Sequence, residues 1–161
     1  MPQVLRDNQV IQDNWIAVDE SLTNLPSGDI LLSYDQWQQF SDQLADHDGQ
    51  IGVWIEGNTD IEAIVEPLLE LPLIAINFPK FADGRGFSIA RLLRGRYKYQ
   101  GELRAIGGFI RDQLYLLKRC GFDAFKFIDN TELSEAAKSL KDFSETYQVS
   151  ADEENPLFRR R

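Results

Sequence analysis

Leu73-Ile74-Ala75-Ile76-Asn77-Phe78 is apolar at every position but Asn77, and it runs into a Gly-rich turn, Asp83-Gly84-Arg85-Gly86-Phe87-Ser88. An uninterrupted apolar run of this length suits a strand covered on both faces, as in a parallel sheet. The turn predicts the start of a basic helix over 88–96. Between Lys80 and Arg104 there are seven basic residues and two acidic ones, a net +5 in a chain whose net charge is −9. The remainder therefore carries −14, and the window is the natural place to look for function.

The same strand-then-helix rhythm extends in both directions. Upstream, Ile30-Leu31-Leu32 precedes Ser33 and Gln36, which have capping-box spacing, and Trp37, Phe40, Leu44 and Ala45 then share a helical face. Ile51-Gly52-Val53-Trp54-Ile55 is the next strand. Thr59 and Glu62 repeat the capping spacing ahead of the stripe Ile61, Ile64, Val65, Leu68 and Leu69, in which Pro67 should kink or shorten the helix. Downstream, residues 102–106 read as a short strand ended by Gly107-Gly108, and 109–120 as a helix stopped by Gly121. Residues 122–128 hold a strand, 133–147 a helix, and 147–149 a last short strand. At the N-terminus, Val10-Ile11 and Trp15–Val18 flank Gln12-Asp13-Asn14, which predicts a hairpin within residues 1–20.

This alternation predicts an α/β fold: a single domain over 1–150, built on a mostly parallel sheet with alternating helices and an N-terminal β-hairpin. Pattern alone leaves an open sheet and a partial β/α barrel as equal options. Residues 151–161, polar and broken by Pro156, read as a mobile C-terminal tail. No apolar run reaches membrane-spanning length and no secretory h-region opens the chain, so a cytoplasmic protein is expected. The acidic balance disfavours nucleic acid as a partner.

Chemistry is sparse. One cysteine, Cys120, excludes an internal disulfide and a four-thiolate cluster, and it is expected to be buried. One histidine, His47, leaves no histidine metal cluster and is expected at the surface. No cofactor motif is complete: the Gly-rich turn is neither GxxxxGK[ST] nor GxGxxG. The candidate anion- or partner-binding residues are Lys80, Asp83, Gly84, Arg85, Gly86, Ser88, Arg91, Arg94 and Arg104. Glycines in such a turn allow close backbone approach, and arginines fork onto oxyanions. Three readings stand together: an anion site, a docking face for an acidic partner, and a tight turn beside a solvated basic helix. Glu102 and Arg104 fall on one side of a strand and predict an ion pair. Trp15, Trp37 and Trp54 read as packing residues.

Several blocks in order carry a family likeness: residues 78–88 (FPKFADGRGFS), 101–105 (GELRA), Asp112-Gln113, and 119–125 (RCGFDAF). They resemble a bacterial family of unknown function, number 934 in the domain-of-unknown-function series. The likeness spans about residues 25–150 and is strongest over 73–127. Such proteins are usually encoded beside the haem-containing subunit of assimilatory sulfite reductase and are commonly labelled oxidoreductases of sulfite reduction. The resemblance therefore implies a role in cysteine biosynthesis, with the reductase haem subunit as partner. It implies no defined catalytic set. With no flavin or nicotinamide fingerprint in the chain, an accessory subunit is the physically simpler role, and an enzyme acting on a small anion held at the DGRGFS turn is the alternative.

Overall fold

A computed structural model of the chain describes residues 2–21, 23–78, 85–109, 111–128 and 133–141. Strands β1 (Gln3–Arg6) and β2 (Gln9–Gln12) form a hairpin. They are followed by β3 (Ile16–Ala17), β4 (Ile30–Ser33), helices α1 (Tyr34–Gln39) and α2 (Ser41–Leu44), β5 (Ile51–Glu56), α3 (Ile61–Leu68) and β6 (Leu73–Phe78). Helix α4 (Arg85–Arg91) continues as a π-helical turn, Leu92–Arg96, before β7 (Glu102–Gly107). A 3-10 turn, Arg111–Gln113, leads into α5 (Leu114–Cys120), then β8 (Ala124–Phe125) and α6 (Leu133–Lys141).

The sheet order is β2-β1-β8-β7-β6-β5-β4-β3, parallel from β8 through β3 and antiparallel only at β1 and β2. The parallel strands lie in sequence order without reversal. Right-handed crossovers then put every helix on one face, unlike a doubly wound sheet. Residues of α3, α4, α5 and α6 share one core with Val53, Ile55, Ile74, Ile76, Phe78, Leu103, Ala105, Phe125 and Leu5. The alternate positions, Leu31, Leu73 and Ala75, form a separate inner cluster with Trp15, Trp54 and Ile106. The sheet is therefore curled, with helices outside and a concave inner face. This half-barrel decides between the two geometries that pattern left open.

Chain length enforces the curl. Strands β2 and β3 lie at opposite edges, yet only Asp13, Asn14 and Trp15 join them. Eight strands laid flat would separate those edges by roughly 33 Å. The four steps from Gln12 to Ile16 reach about 14 Å at most.

Asp13 fastens this link inside the curl. Its Oδ1 accepts from Arg104 Nη1 at 3.2 Å and from the Trp15 N–H at 3.2 Å, and its Oδ2 lies 3.1 Å from Lys126 Nζ. Arg104, 3% exposed, also donates to Glu102 Oε1 through Nε (2.9 Å) and Nη2 (2.8 Å). Arg6 Nη1 stands 3.6 Å from Glu102 Oε2. The expected Glu102–Arg104 pair is thus one part of a larger inner cluster.

Several local expectations are corrected. The N-terminal hairpin turns at Asp7–Asn8, both at positive φ, and not at Gln12–Asn14. Two left-handed residues make the tight turn that matches strand twist. Residues 16–17 belong to the far edge instead. The Ser33/Gln36 capping box forms in both directions, but the helix breaks at Phe40, whose ring is buried. Thr59 does not cap α3; its N–H bonds Glu56 O in the turn after β5, and Asp60 precedes the helix without a side-chain bond. Pro67 sits in the last turn of α3, which ends at Leu68. The basic helix starts at Arg85, three residues early. The strand expected over 122–128 pairs only at Ala124–Phe125. The end of the predicted 133–147 helix, the 147–149 strand and the 151–161 tail lie outside the described residues. His47 is tucked in, with Nε2 2.7 Å from Gly28 O and a side chain 5% exposed. Cys120 is buried, as expected.

Burial alone would raise the Asp13 pKa, but Arg104, Lys126 and the Trp15 N–H hold it below the usual carboxylate value. A depressed carboxylate contributes stability above its unfolded pKa and loses it as pH falls through the folded one. Asp13→Asn should therefore cost about 3 kcal/mol at neutral pH, because two cations lose their buried partner. Urea denaturation should show that deficit shrinking as pH is lowered through the acid range.

Candidate functional site

Strand β6 ends at Phe78, at the carboxyl edge of the parallel strands, and α4 begins there at Arg85. That edge carries the functional loops in sheets of this kind. Around it stand Glu56 at the end of β5 and Gly57 after it, Asn77 near the end of β6, Gly107 at the end of β7, and the first turn of α4. Asn77 Nδ2 donates to Glu56 Oε2 at 3.0 Å. Gly107 has φ +94°, and a Cβ there would lie 2.3 Å from Asn77 Oδ1, so only glycine lets β7 close against β6.

The structure disperses the sequence-predicted site residues. Lys80, Asp83 and Gly84 lie outside the described residues. Arg85, Gly86 and Ser88 occupy the start of α4 at the carboxyl edge. Gly86 is buried, and a Cβ there would meet the Phe78 ring at 2.6 Å. Its lack of a side chain serves helix–strand packing. Arg91 points outward from α4.

Arg94 and Arg104 are not available surface cations. Arg94 lies at the opposite, amino edge of the sheet. Its Nη1 donates to Tyr99 O and Gly101 O, each at 2.8 Å, and its Nε to Gly121 O at 2.9 Å. Nη2 stands 3.5 Å from Asp123 Oδ2. One guanidinium thus ties the π-helical turn to the starts of β7 and β8. Arg104 is spent in the inner cluster described above. Helical spacing placed Arg91 and Arg94 together, but the wider π turn and the proximity of three carbonyls draw Arg94 inward.

Two features escaped the sequence reading. One is the inner cluster Asp13–Arg104–Lys126, which joins residues far apart in the chain; no local spacing signals it. The other is Asp123, whose Oδ1 accepts the Leu103 N–H at 2.8 Å. Burial pushes its pKa up, against the opposing pull of that N–H and of Arg94. A cleft of about 350 Å³ opens there, between the Asp7–Asn8 turn and Gly121. Its polar groups already have partners: Lys118 Nζ donates to Asn8 Oδ1, and Arg94 and Asp123 are engaged as above. Among the described residues no group of His, Cys, Asp and Glu is placed to hold a metal ion. No helix among them is long and apolar enough to cross a membrane.

Residues 52–158 match the model of the family described as bacterial protein of unknown function (DUF934). The chain belongs to this family. No curated protein and no solved structure matches it. The DUF934 match runs from the second residue of β5 through the carboxyl edge, α4, the Arg94 anchor and α6, so it includes most of the helix-covered sheet.

The two neighbouring arginines should separate in a stability measurement. Arg94→Met strands three carbonyls and should cost about 2–4 kcal/mol. Arg91→Met should stay within about 0.5 kcal/mol of the parent. Thermal or urea unfolding of both variants checks this.

Proposed function

We propose that this protein is a cytoplasmic accessory partner of assimilatory sulfite reduction, docking onto the haem-bearing reductase subunit through the outer face of α4 and its π-helical extension. The observation that carries the reading is the division of the basic window. Its two arginines at structural positions are consumed internally. Arg85, Ser88, Arg91 and Gly95 are exposed along the other side of the helix, and Lys98 is exposed in the loop just after it. The buried side is apolar: Ile89, Ala90 and Leu93 pack against the sheet.

Arg96 also faces outward and meets Glu62 at 3.3 Å, a surface pair of small energetic value. A cationic strip on an otherwise acidic chain is suited to steering an acidic surface into register. Such charge complementarity acts mainly on orientation and on-rate. The sulfur-assimilation context is what the resemblance implies. The docking reading is supported by the structural use of Arg94 and Arg104 beside the exposure of Arg85 and Arg91.

The test is co-purification of tagged protein with the haem subunit at low and high salt. Association should be present at low salt and weaken as salt screens the strip. The double reversal Arg91→Glu, Lys98→Glu should slow association by roughly tenfold or more while leaving the unfolding temperature unchanged. No association at low salt, together with normal growth of a deletion strain on sulfate, would overturn the proposal.

A further inference from the structure

A second region of the carboxyl edge has the opposite electrostatic character. A cleft of about 270 Å³ lies at the ends of β4 and β5, lined by Glu20, Asp35, Glu56, Trp54, Asn58 and Thr59 among others. We propose that it binds an alkylguanidinium group, stacked on the Trp54 indole and held by the Glu56 carboxylate. This site is distinct from the α4 face and does not depend on that face docking a reductase.

The chemistry is read from the walls. Trp54 is half-buried, with its ring packed into the inner cluster, so the indole is fixed before any ligand arrives. An indole face attracts a cation, and most strongly when water is partly excluded. Asn77 Nδ2 donates to Glu56 Oε2, which orients the carboxylate beside the indole. Glu20 and Asp35 add negative charge at the rim. Among the described residues, no cationic side chain lines the cleft or pairs with Glu20, Asp35 or Glu56.

The Ser33 hydroxyl accepts from the Gln36 N–H in its capping box, and the Tyr34 hydroxyl accepts from Gln38 Nε2. The three carboxylates do not converge as a metal site would require. Spread charge around an aromatic wall suits a planar, delocalised cation better than a point charge. The volume admits a side-chain-sized group and is small for a nucleotide.

The cation can arrive as a free small molecule or as an arginine side chain of a bound polypeptide. Titrating the intact protein with ethylguanidinium and with a neutral-capped Gly-Arg-Gly peptide separates the two. The readout is the Trp54 indole N–H resonance, assigned with Trp54→Phe. A saturable shift at millimolar ethylguanidinium is expected, with none from N-ethylurea, its uncharged analogue. Tighter binding of the peptide points to a polypeptide source, and equal or weaker binding to a free cation. Glu56→Gln retains an acceptor for Asn77 and should keep the fold, as judged by the dispersion of the other two indole signals. It should raise the half-saturation concentration about fivefold or more. No saturable Trp54 shift with either cation, an equal response to ethylurea, or unchanged binding by Glu56→Gln overturns the proposal.

Discussion

The link Asp13-Asn14-Trp15 constrains everything else in this fold. It joins strands at opposite edges of an eight-stranded sheet, so the sheet has no choice but to curl. Curling creates an inner face that no helix among the described residues covers, and that face is filled from within. Trp15, carried by the link, packs there with Trp54, Leu31, Leu73 and Ala75. Asp13, two residues earlier, enters the same space and meets Arg104 and Lys126. The link is therefore both a tether and a plug. A buried ion cluster of this kind contributes little net stability against an apolar alternative, but breaking it is costly, so its firmer role is to fix one register for the closing edge.

What the sequence revealed follows from the range of each interaction. The strands β4, β5, β6 and β7 were legible because buried parallel strands announce themselves as apolar runs. The Ser33–Gln36 cap was legible because both partners lie within four residues. The curl was not, because it depends on a link whose meaning appears only when the order of strands is known. The hairpin turn was misplaced for a related reason. Asp7-Asn8 lacks glycine, so its left-handed pair carried a weaker signal than the polar stretch Gln12–Asn14. The Thr59 spacing imitated a cap that the turn after β5 pre-empted. Of the candidate site, the carboxyl-edge position of Arg85, Gly86 and Ser88 was legible. The fate of its arginines was not.

Those arginines show why a charge count cannot assign roles. Arg91, Arg94 and Arg104 are chemically alike and lie within fourteen residues. Arg91 faces solvent. Arg94 falls where the helix widens into a π turn and reaches three backbone carbonyls that otherwise lack this donor. Arg104 sits at an inward position of a strand, which strand alternation fixes, and so must be neutralised by Glu102 and Asp13. The sum of +5 for the window is real, but only part of it is expressed at the surface.

This sorting also limits where function can reside. The inner face is occupied by tryptophans and ion pairs, so it is a packed core and not a passage. The amino edge is tied by Arg94 and Asp123, whose polar atoms are already committed. Among the described residues, the carboxyl edge and the outer side of α4 are open. These differ in sign: the cleft at β4 and β5 is rimmed by Glu20, Asp35 and Glu56, and the helix face and the loop after it carry Arg85, Arg91 and Lys98. A partner surface of uniform charge would be favoured by one region and repelled by the other. If α4 docks a partner as proposed, opposed fields of this kind would restrict the orientations that partner can adopt more than they would raise its affinity.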